Sequence, residues 1–223
     1  MDWGALTLSI ELAFATLLVL LPIGVWVGRK LAWSRFRGKA LVQALLALPL
    51  VLPPTVLGFY LLVAMGGASP LGQWYESVFG HQLTFSFDGL LVASVIVNLP
   101  YAIQPMQRAF EAIAPEVREA ALCCGMSWPR ILHRIELPLA WPGILSALVL
   151  TFAHTLGEFG VVLMVGGSIP GETRTIAIAI YDRVQAFDTA GAGLMSALLL
   201  LISLAAIGLS YFATNRMGTR RHG

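Results

Sequence analysis

Residues 111–138 have the sequence EAIAPEVREAALCCGMSWPRILHRIELP, a polar stretch between two apolar segments. Pro115 suits the first turn of a helix, where its missing N–H is no loss. Gly125 can adopt the left-handed conformation that ends a helix. Ser127 then caps a second helix, which Leu137-Pro138 closes. The pattern predicts two short helices that lie between membrane spans and form a docking surface over about residues 111–137.

The composition is that of an integral membrane protein. Hydrophobic residues make up 57% of the 223 residues and charged residues 12%, against roughly 25% charged in soluble proteins. The length allows five or six spans of about 20 residues, and we predict a single transmembrane domain over residues 1–223. The sequence has no Gly-rich phosphate-binding loop. We therefore expect the chain not to be an enzyme, to bind no cofactor, and to depend on a partner for any ATP chemistry.

No metal site is predicted. The two cysteines, Cys123 and Cys124, are adjacent and lie in the polar stretch. A metal site would need further cysteine or histidine ligands at suitable spacing, and His133 alone does not supply them. We interpret both cysteines as packing residues.

The apolar runs predict an all-α, polytopic fold with about five transmembrane helices. The predicted spans are residues 5–27, 40–65, 89–110, 138–157 and 191–214. Basic residues cluster in 28–39, in 108–137 and in the tail, which contains Arg216, Arg220 and Arg221. In a five-span chain these three regions lie on one side, which the positive-inside rule makes cytoplasmic. The N-terminus is then outside and the C-terminus inside.

Residues 158–190 are harder to place, because their apolar run is too short to span and two glycine-containing turns interrupt it. A re-entrant or lip-like segment, followed by a short helix over residues 175–187, fits better than a sixth crossing. A sixth crossing would place the C-terminal arginines outside.

The second span contains Pro49, Pro53 and Pro54, followed by Thr55. Prolines remove helix donors and clash with preceding carbonyls, so this helix is predicted to be kinked or unwound. Non-helical backbone at membrane depth is tolerated where it is buried in protein or lines a water-filled cavity. These four residues are therefore candidates for the translocation path, with a packing kink as the alternative. For the prolines of the third span, the simple kink is favoured.

His154 and Glu158 stand four residues apart at the end of the fourth span and share a helix face. An ionisable residue at membrane depth is a functional candidate. Glu158 is expected near the outer boundary, where it would be hydrated, and its charge would repel an anionic cargo. Glu158, Phe159 and Gly160 are therefore assigned to a gate or to the outer mouth of the path.

Glu172 and Arg174 belong to the predicted outer face. Arg174 is one of only two basic residues outside the three basic regions, and it could meet a substrate-loaded binding protein or an oxyanion. A salt bridge from Arg174 to Glu172 or Asp182 is the equal alternative.

The polar stretch matches the EAA-x3-G-x9-I-x-L-P signature of the membrane subunits of binding-protein-dependent ABC importers, and the chain resembles that family. In the family this loop couples the membrane subunit to a cytoplasmic ATPase. The residues that match are Glu119, Ala120, Ala121, Gly125, Ile135, Leu137 and Pro138.

Three further segments, residues 48–58, 157–160 and 169–176, resemble the permease subunits of bacterial molybdate ABC importers. Sulfate and thiosulfate permeases share part of this pattern, and the sequence does not separate molybdate from tungstate. An ion-coupled secondary transporter would require an inverted repeat and ionisable residues in the middle of several spans. The sequence shows neither.

The resemblance implies a multi-pass protein of the cell inner membrane that works as a homodimer. Its implied partners are two cytoplasmic ABC ATPase subunits, which carry the ATP and Mg²⁺, and a periplasmic or tethered molybdate-binding protein. No nucleic acid is implied.

Overall fold

The structure, a computed structural model, describes residues 1–219, and these residues form helices and connecting loops with no strand among them. The predicted all-α class is confirmed. The helices are α1 (Trp3–Trp33), α2 (Lys39–Val51), α3 (Pro54–Met65), α4 (Pro70–Phe79), α5 (Phe87–Glu111), α6 (Pro115–Cys123), α7 (Trp128–Ile131), α8 (Leu137–Gly157), α9 (Gly160–Gly166), α10 (Ile176–Gln185) and α11 (Thr189–Thr219), with a π-helical turn (Leu132–Glu136) between α7 and α8.

Four helical segments within residues 1–219 are long and apolar enough to cross a membrane. They are Trp3–Trp33, Phe87–Glu111, Trp128–Gly157 and Thr189–Gly208, and α2 with α3 makes a fifth if that bent pair is one span. The protein is therefore a multi-pass membrane protein with four or five candidate spans, where about five are predicted. Arg220, Arg221 and the side chain of Arg216 lie outside the described residues, and the orientation of the termini stays a prediction.

Helix α5 is the centre of the bundle, with α1 and α8 packed along it. One apolar core lies between these helices and includes Met106, Phe110 and Ile144, all buried. A second core joins the first half of α5 to α3 and α9 through Val97, Met65 and Val165. Because α5 contacts α1, α2, α8 and α9, a side chain on α5 can meet groups from every part of the predicted path.

The second predicted span is broken, as its prolines predict. Leu52 and Pro53 have extended backbones, and α2 and α3 meet at 108°. Pro53 and Pro54 supply no N–H at the point where the helix would have to continue. The predicted second span, residues 40–65, therefore consists of two helices separated by this break. Helix α2 has no buried residue, and the side chains of Leu41 and Val51 are largely exposed.

Residues 158–190 contain two short helices, α9 and α10, and no further helix long enough to span. The predicted short helix over 175–187 is confirmed by α10. The N–H of Ile176 donates to the hydroxyl of Ser9 at 2.8 Å, which fixes the start of α10 against α1. On its other side α10 packs on α11 through Ala179 and Met195.

The polar stretch does not end where the sequence predicts. Leu137-Pro138 does not close the second short helix, because helical structure continues from Trp128 to Gly157. The N–H of Leu137 donates to the carbonyl of Leu132, the spacing of a π-turn. In a regular helix the ring of Pro138 would clash with the carbonyl four residues earlier, and a wider turn relieves that clash. The fourth span is therefore continuous with the polar stretch.

Candidate functional site

A line of polar side chains crosses the middle of the bundle. The hydroxyls of Thr16 in α1 and Ser94 in α5 lie 2.8 Å apart, and both side chains are buried. One turn further along α5, the amide nitrogen of Asn98 donates to the carbonyl of Ser94 at 2.8 Å. The oxygen of the same amide lies 3.1 Å from Nδ1 of His154 in α8. The line therefore ties three helices together at the level of Asn98.

This arrangement places a proton on Nδ1 of His154. The carbonyl of Ser94 can only accept, so the nitrogen of the Asn98 amide must face it and the oxygen must face the imidazole. Nδ1 of His154 is therefore the donor to Asn98. The same nitrogen lies 3.9 Å from Oε2 of Glu158, so the predicted proximity of His154 and Glu158 is confirmed. The other carboxylate oxygen of Glu158 accepts from the N–H of Val161 at 3.3 Å.

Glu158 lies deeper than the sequence suggests. Its side chain is only 8% exposed, and its neighbour His154 contacts Asn98, which is at the middle of α5. The expectation of a hydrated carboxylate at the outer boundary is wrong. The reason is the packing of α8 against α5, in which Gly143 faces Ala109 near the end of α5 and His154 reaches only to Asn98 at its middle.

A cavity of about 150 Å³ lies between this polar line and the break in the second span. Its walls include Pro49 and Pro54 from α2 and α3, Tyr101 from α5, and His154 and Glu158. The rings of Tyr101 and His154 are stacked, with their centroids 4.0 Å apart. The structure thus brings the two predicted path segments together around one space.

Four other predicted path residues do not line this cavity. Pro53 and Thr55 are exposed at the break. The ring of Phe159 packs on Tyr181 with the centroids 4.9 Å apart. Gly160 touches α3 so closely that a Cβ there would lie 2.8 Å from Cβ of Pro54. Gly160 therefore sets the distance between α9 and the broken span.

Two further cavities, of about 260 and 250 Å³, continue from the first along α5. Neighbouring cavities share lining residues, Leu50 and Tyr101 at the first junction and Gln104 and Arg108 at the second. We call these three connected cavities the file of cavities. It runs from the middle of α5 to the end of that helix at Glu111, a distance of about 15 Å at 1.5 Å per residue. This end of α5 leads directly into α6.

Sequence reasoning missed the contribution of α5, because it treated the prolines of that span as a kink. A signal was present. Tyr101, Gln104, Arg108 and Glu111 recur at helical spacing in an otherwise apolar span, which places them on one face of α5. All four line the file of cavities.

The predicted pair of short helices is confirmed, and we call residues 115–131 the α6–α7 hairpin. Gly125 has a φ of +74°, and the N–H groups of Gly125 and Met126 donate to the carbonyls of Leu122 and Ala121 at 2.9 and 3.1 Å. This is a Schellman ending, which satisfies the last carbonyls of α6. Ser127 precedes α7 as predicted, but its side chain makes no capping hydrogen bond.

The signature residues are divided between the surface and the interior. Glu119, Ala120, Gly125 and Pro138 are exposed, Ile135 and Leu137 are half-buried, and Ala121 is buried. Cys123 and Cys124 are exposed free thiols, so their interpretation as packing residues is wrong.

The centre of the hairpin's attachment is Glu136, which the sequence did not single out. Its side chain is 0% exposed and lies between two arginines. Arg29 of α1 donates to it through two nitrogens, with Nη2 3.3 Å from Oε1. Nε of Arg118 in α6 is 2.8 Å from the same oxygen. One carboxylate therefore connects the first span, the hairpin and the start of the fourth span.

Aromatic rings complete this junction. The guanidinium carbon of Arg118 lies 3.9 Å from the ring centroid of Trp33 and 5.2 Å from that of Trp128. A guanidinium between two indole rings is held by cation–π attraction as well as by its charge partner. We refer to Arg29, Arg118 and Glu136 as the hairpin ion triad.

The residues predicted for the outer face are near each other but do not pair. Arg174 is 3.0 Å from Asp182 and 3.6 Å from Asp2, whereas Glu172 is exposed. The salt bridge to Asp182, one of the two alternatives, is therefore observed. Through these two contacts, Arg174 joins the loop before α10 to α10 itself and to Asp2 at the start of α1. Contact with a binding protein stays a prediction.

A helical bundle with a broken span, a file of cavities and a polar hairpin is the architecture of a membrane transport subunit. The chain belongs to the family of binding-protein-dependent transport system inner membrane components, whose model matches residues 20–220. It is thus the non-catalytic permease component of an ABC importer.

The chain is 46% identical over 202 residues to the molybdenum transport system permease protein ModB of Azotobacter vinelandii, an alignment that covers 91% of this chain and 89% of the relative. It is 38% identical over 221 residues to ModB of Haemophilus influenzae, with 97% and 95% covered. A bacterial alginate ABC transporter, solved in complex with an alginate pentasaccharide-bound periplasmic protein, has the same fold with a TM-score of 0.77 at 17% identity, over 96% of this chain and 78% of that chain.

Proposed function

We propose that this permease moves molybdate into the cytoplasm and that ATP hydrolysis on separate partner subunits drives the movement. The observation that favours molybdate as the cargo is the similarity to molybdenum permeases over nine-tenths of the chain. The file of cavities from the mid-bundle to the hairpin end supports passage of a small solute. No dedicated high-affinity pocket is needed here, because a conduit that held its cargo tightly would release it slowly.

The hairpin is the proposed docking element for the ATPase, with Glu119, Ala120 and Gly125 on its exposed surface. Closure of an ATPase dimer on ATP would push the hairpin. The hairpin ion triad would pass that movement into α1, and the continuous helix would pass it into α8. A switch of this kind requires contacts that differ between two states, and the docking surface is where nucleotide can create them.

The working assembly is proposed to contain two copies of this chain, two ABC ATPase subunits that bind ATP and Mg²⁺, and a periplasmic or tethered binding protein. Helix α2 offers an apolar surface for a second copy, because none of its residues is buried. The hairpin would face the cytoplasm, and Glu172 and Arg174 would face the binding protein.

The identity of the cargo is tested by measuring uptake of radiolabelled molybdate into cells that lack their own molybdate permease and express the complete importer. We expect uptake that excess tungstate suppresses and excess sulfate leaves largely intact. Suppression by sulfate at equal concentration would contradict molybdate as the main cargo and favour a sulfate permease.

Gly125 gives a test of coupling. Within this chain a Cβ at Gly125 would meet nothing within 4 Å, so the only cost of substitution to the fold is the positive φ. That cost is about 1–2 kcal/mol for a β-branched residue and smaller for asparagine. We expect Gly125→Val to retain membrane insertion but to hydrolyse ATP with little uptake, and Gly125→Asn to stay close to wild type. Equal coupling ratios in the two variants would contradict the proposed role.

A further inference from the structure

Arg108 is the only lysine or arginine that lines the three cavities of the described path. It lies at the junction of the second and third cavities, one turn before the end of α5, and its side chain is exposed. Within residues 1–219 its guanidinium has no ion pair and no hydrogen bond. A guanidinium in a groove, with its five donors unused, is suited to bind an oxyanion.

The surroundings keep this charge available. Glu111, three residues further along the helix, is positioned to neutralise Arg108. Instead, Glu111 accepts from the amide of Gln107 at 2.8 Å and lies 3.9 Å from the ammonium of Lys39. Its carboxylate lines the same cavity, but it is hydrogen-bonded to Gln107 and makes no ion pair with Arg108.

Two further donors line the same space. Gln43 from α2 and Gln104 from α5 line the third cavity together with Arg108, and neither amide has a hydrogen-bond partner among the described residues. A tetrahedral oxyanion offers acceptors in several directions, so it can accept from a guanidinium on one side and amides on the others. Neutral amides add specificity without the affinity that a second cation would bring.

We propose that Arg108, with Gln104 and Gln43, forms a weak oxyanion subsite in the half of the path nearest the hairpin. The inference rests on the proposed function. It concerns the part of the path that the cargo reaches after it has passed Glu158. Arg108 lies about 15 Å further along α5 than Asn98, which is at the level of Glu158, and its positive charge attracts a dianion there. Because Arg108 is exposed, water competes for the anion and lets it leave.

The test is the charge series Arg108→Lys, Arg108→Gln and Arg108→Glu in the complete importer, reconstituted in vesicles that contain ATP and supplied with external radiolabelled molybdate. The matched control is the same series at Arg37, an exposed arginine on the same side of the bundle that lines none of the cavities. We expect the maximal uptake rate to fall about tenfold for Gln and further for Glu, as for loss of a charge-assisted hydrogen bond. Lys should retain most of the rate, and the series at Arg37 should be flat.

A lipid phosphate has the same chemistry as the cargo, so the series is run in phosphatidylcholine vesicles with and without phosphatidylglycerol. A graded effect at Arg108 in both vesicle types supports a cargo subsite. An effect confined to vesicles with phosphatidylglycerol, equal effects at Arg108 and Arg37, or no effect at Arg108 overturns it while leaving the proposed cargo intact. Failure of the wild-type importer to accumulate molybdate overturns the proposed function itself.

Discussion

Glu136→Gln should abolish most uptake while leaving the chain in the membrane. The substitution keeps the size of the side chain but removes the charge that Arg29 and Arg118 share. Loss of one partner from a buried ion pair costs about 3–5 kcal/mol, because the remaining charge is left uncompensated. Arg29 and Arg118 are each mostly buried, so water can only partly replace the carboxylate. The hairpin should loosen from α1, and ATP hydrolysis should continue with little transport.

The measurements are molybdate uptake, ATP hydrolysis by the complete importer, and thermal unfolding of the purified chain in detergent. Glu116→Gln is the matched control, since it makes the same chemical change on the exposed surface of α6. The double variant Glu136→Gln with Arg118→Gln should regain part of the lost stability, because one orphaned charge is gone, without regaining coupling. Wild-type uptake and unfolding temperature in Glu136→Gln would show that the triad does not join the hairpin to the spans.

Gly160→Val should reduce uptake more than tenfold through a purely steric effect. A Cβ at Gly160 would lie 2.8 Å from Cβ of Pro54, a contact that requires α9 and α3 to move apart. Pro54 has a rigid ring at the start of α3 and cannot rotate away, so the two helices themselves must shift to relieve the contact. Overpacking of this kind costs about 1–3 kcal/mol. The displacement would act on the cavity that Pro54 and Glu158 line, which is the centre of the proposed path.

Gly157→Val is the control for Gly160→Val. It lies three residues earlier in the same turn region, and a Cβ there would meet no atom within 4 Å. We expect it to transport at close to the wild-type rate. If the two valine variants transport equally well, the contact between α9 and the broken span does not shape the path.

Several features of this protein could be predicted because their signals are local in the chain. Three prolines within six residues predict a broken helix, and α2 and α3 part at that point. Gly125 predicts a left-handed helix ending, and its φ is +74°. A proline removes the same donor and a glycine permits the same backbone wherever they stand, so neither signal depends on the rest of the fold.

The depth of Glu158 could not be predicted in this way. The level at which a helix ends depends on how the helix packs against its neighbours. In α8, Gly143 faces Ala109 near the end of α5, and His154 contacts Asn98 at the middle of α5. That register joins residues about 35 and 56 positions apart in the chain, and no local pattern in the sequence encodes it.

The sequence alone determined the class of this protein, its five apolar segments, the broken second span and the helical hairpin, since each depends on composition or on residues within one or two turns. The tertiary structure decided which polar groups meet. Arg29 and Glu136 are 107 residues apart in the chain, and Thr16 and Ser94 are separated by 78. Contacts of that kind arise from the packing of α1 and α8 against α5, and helical periodicity carries no information about which helices become neighbours.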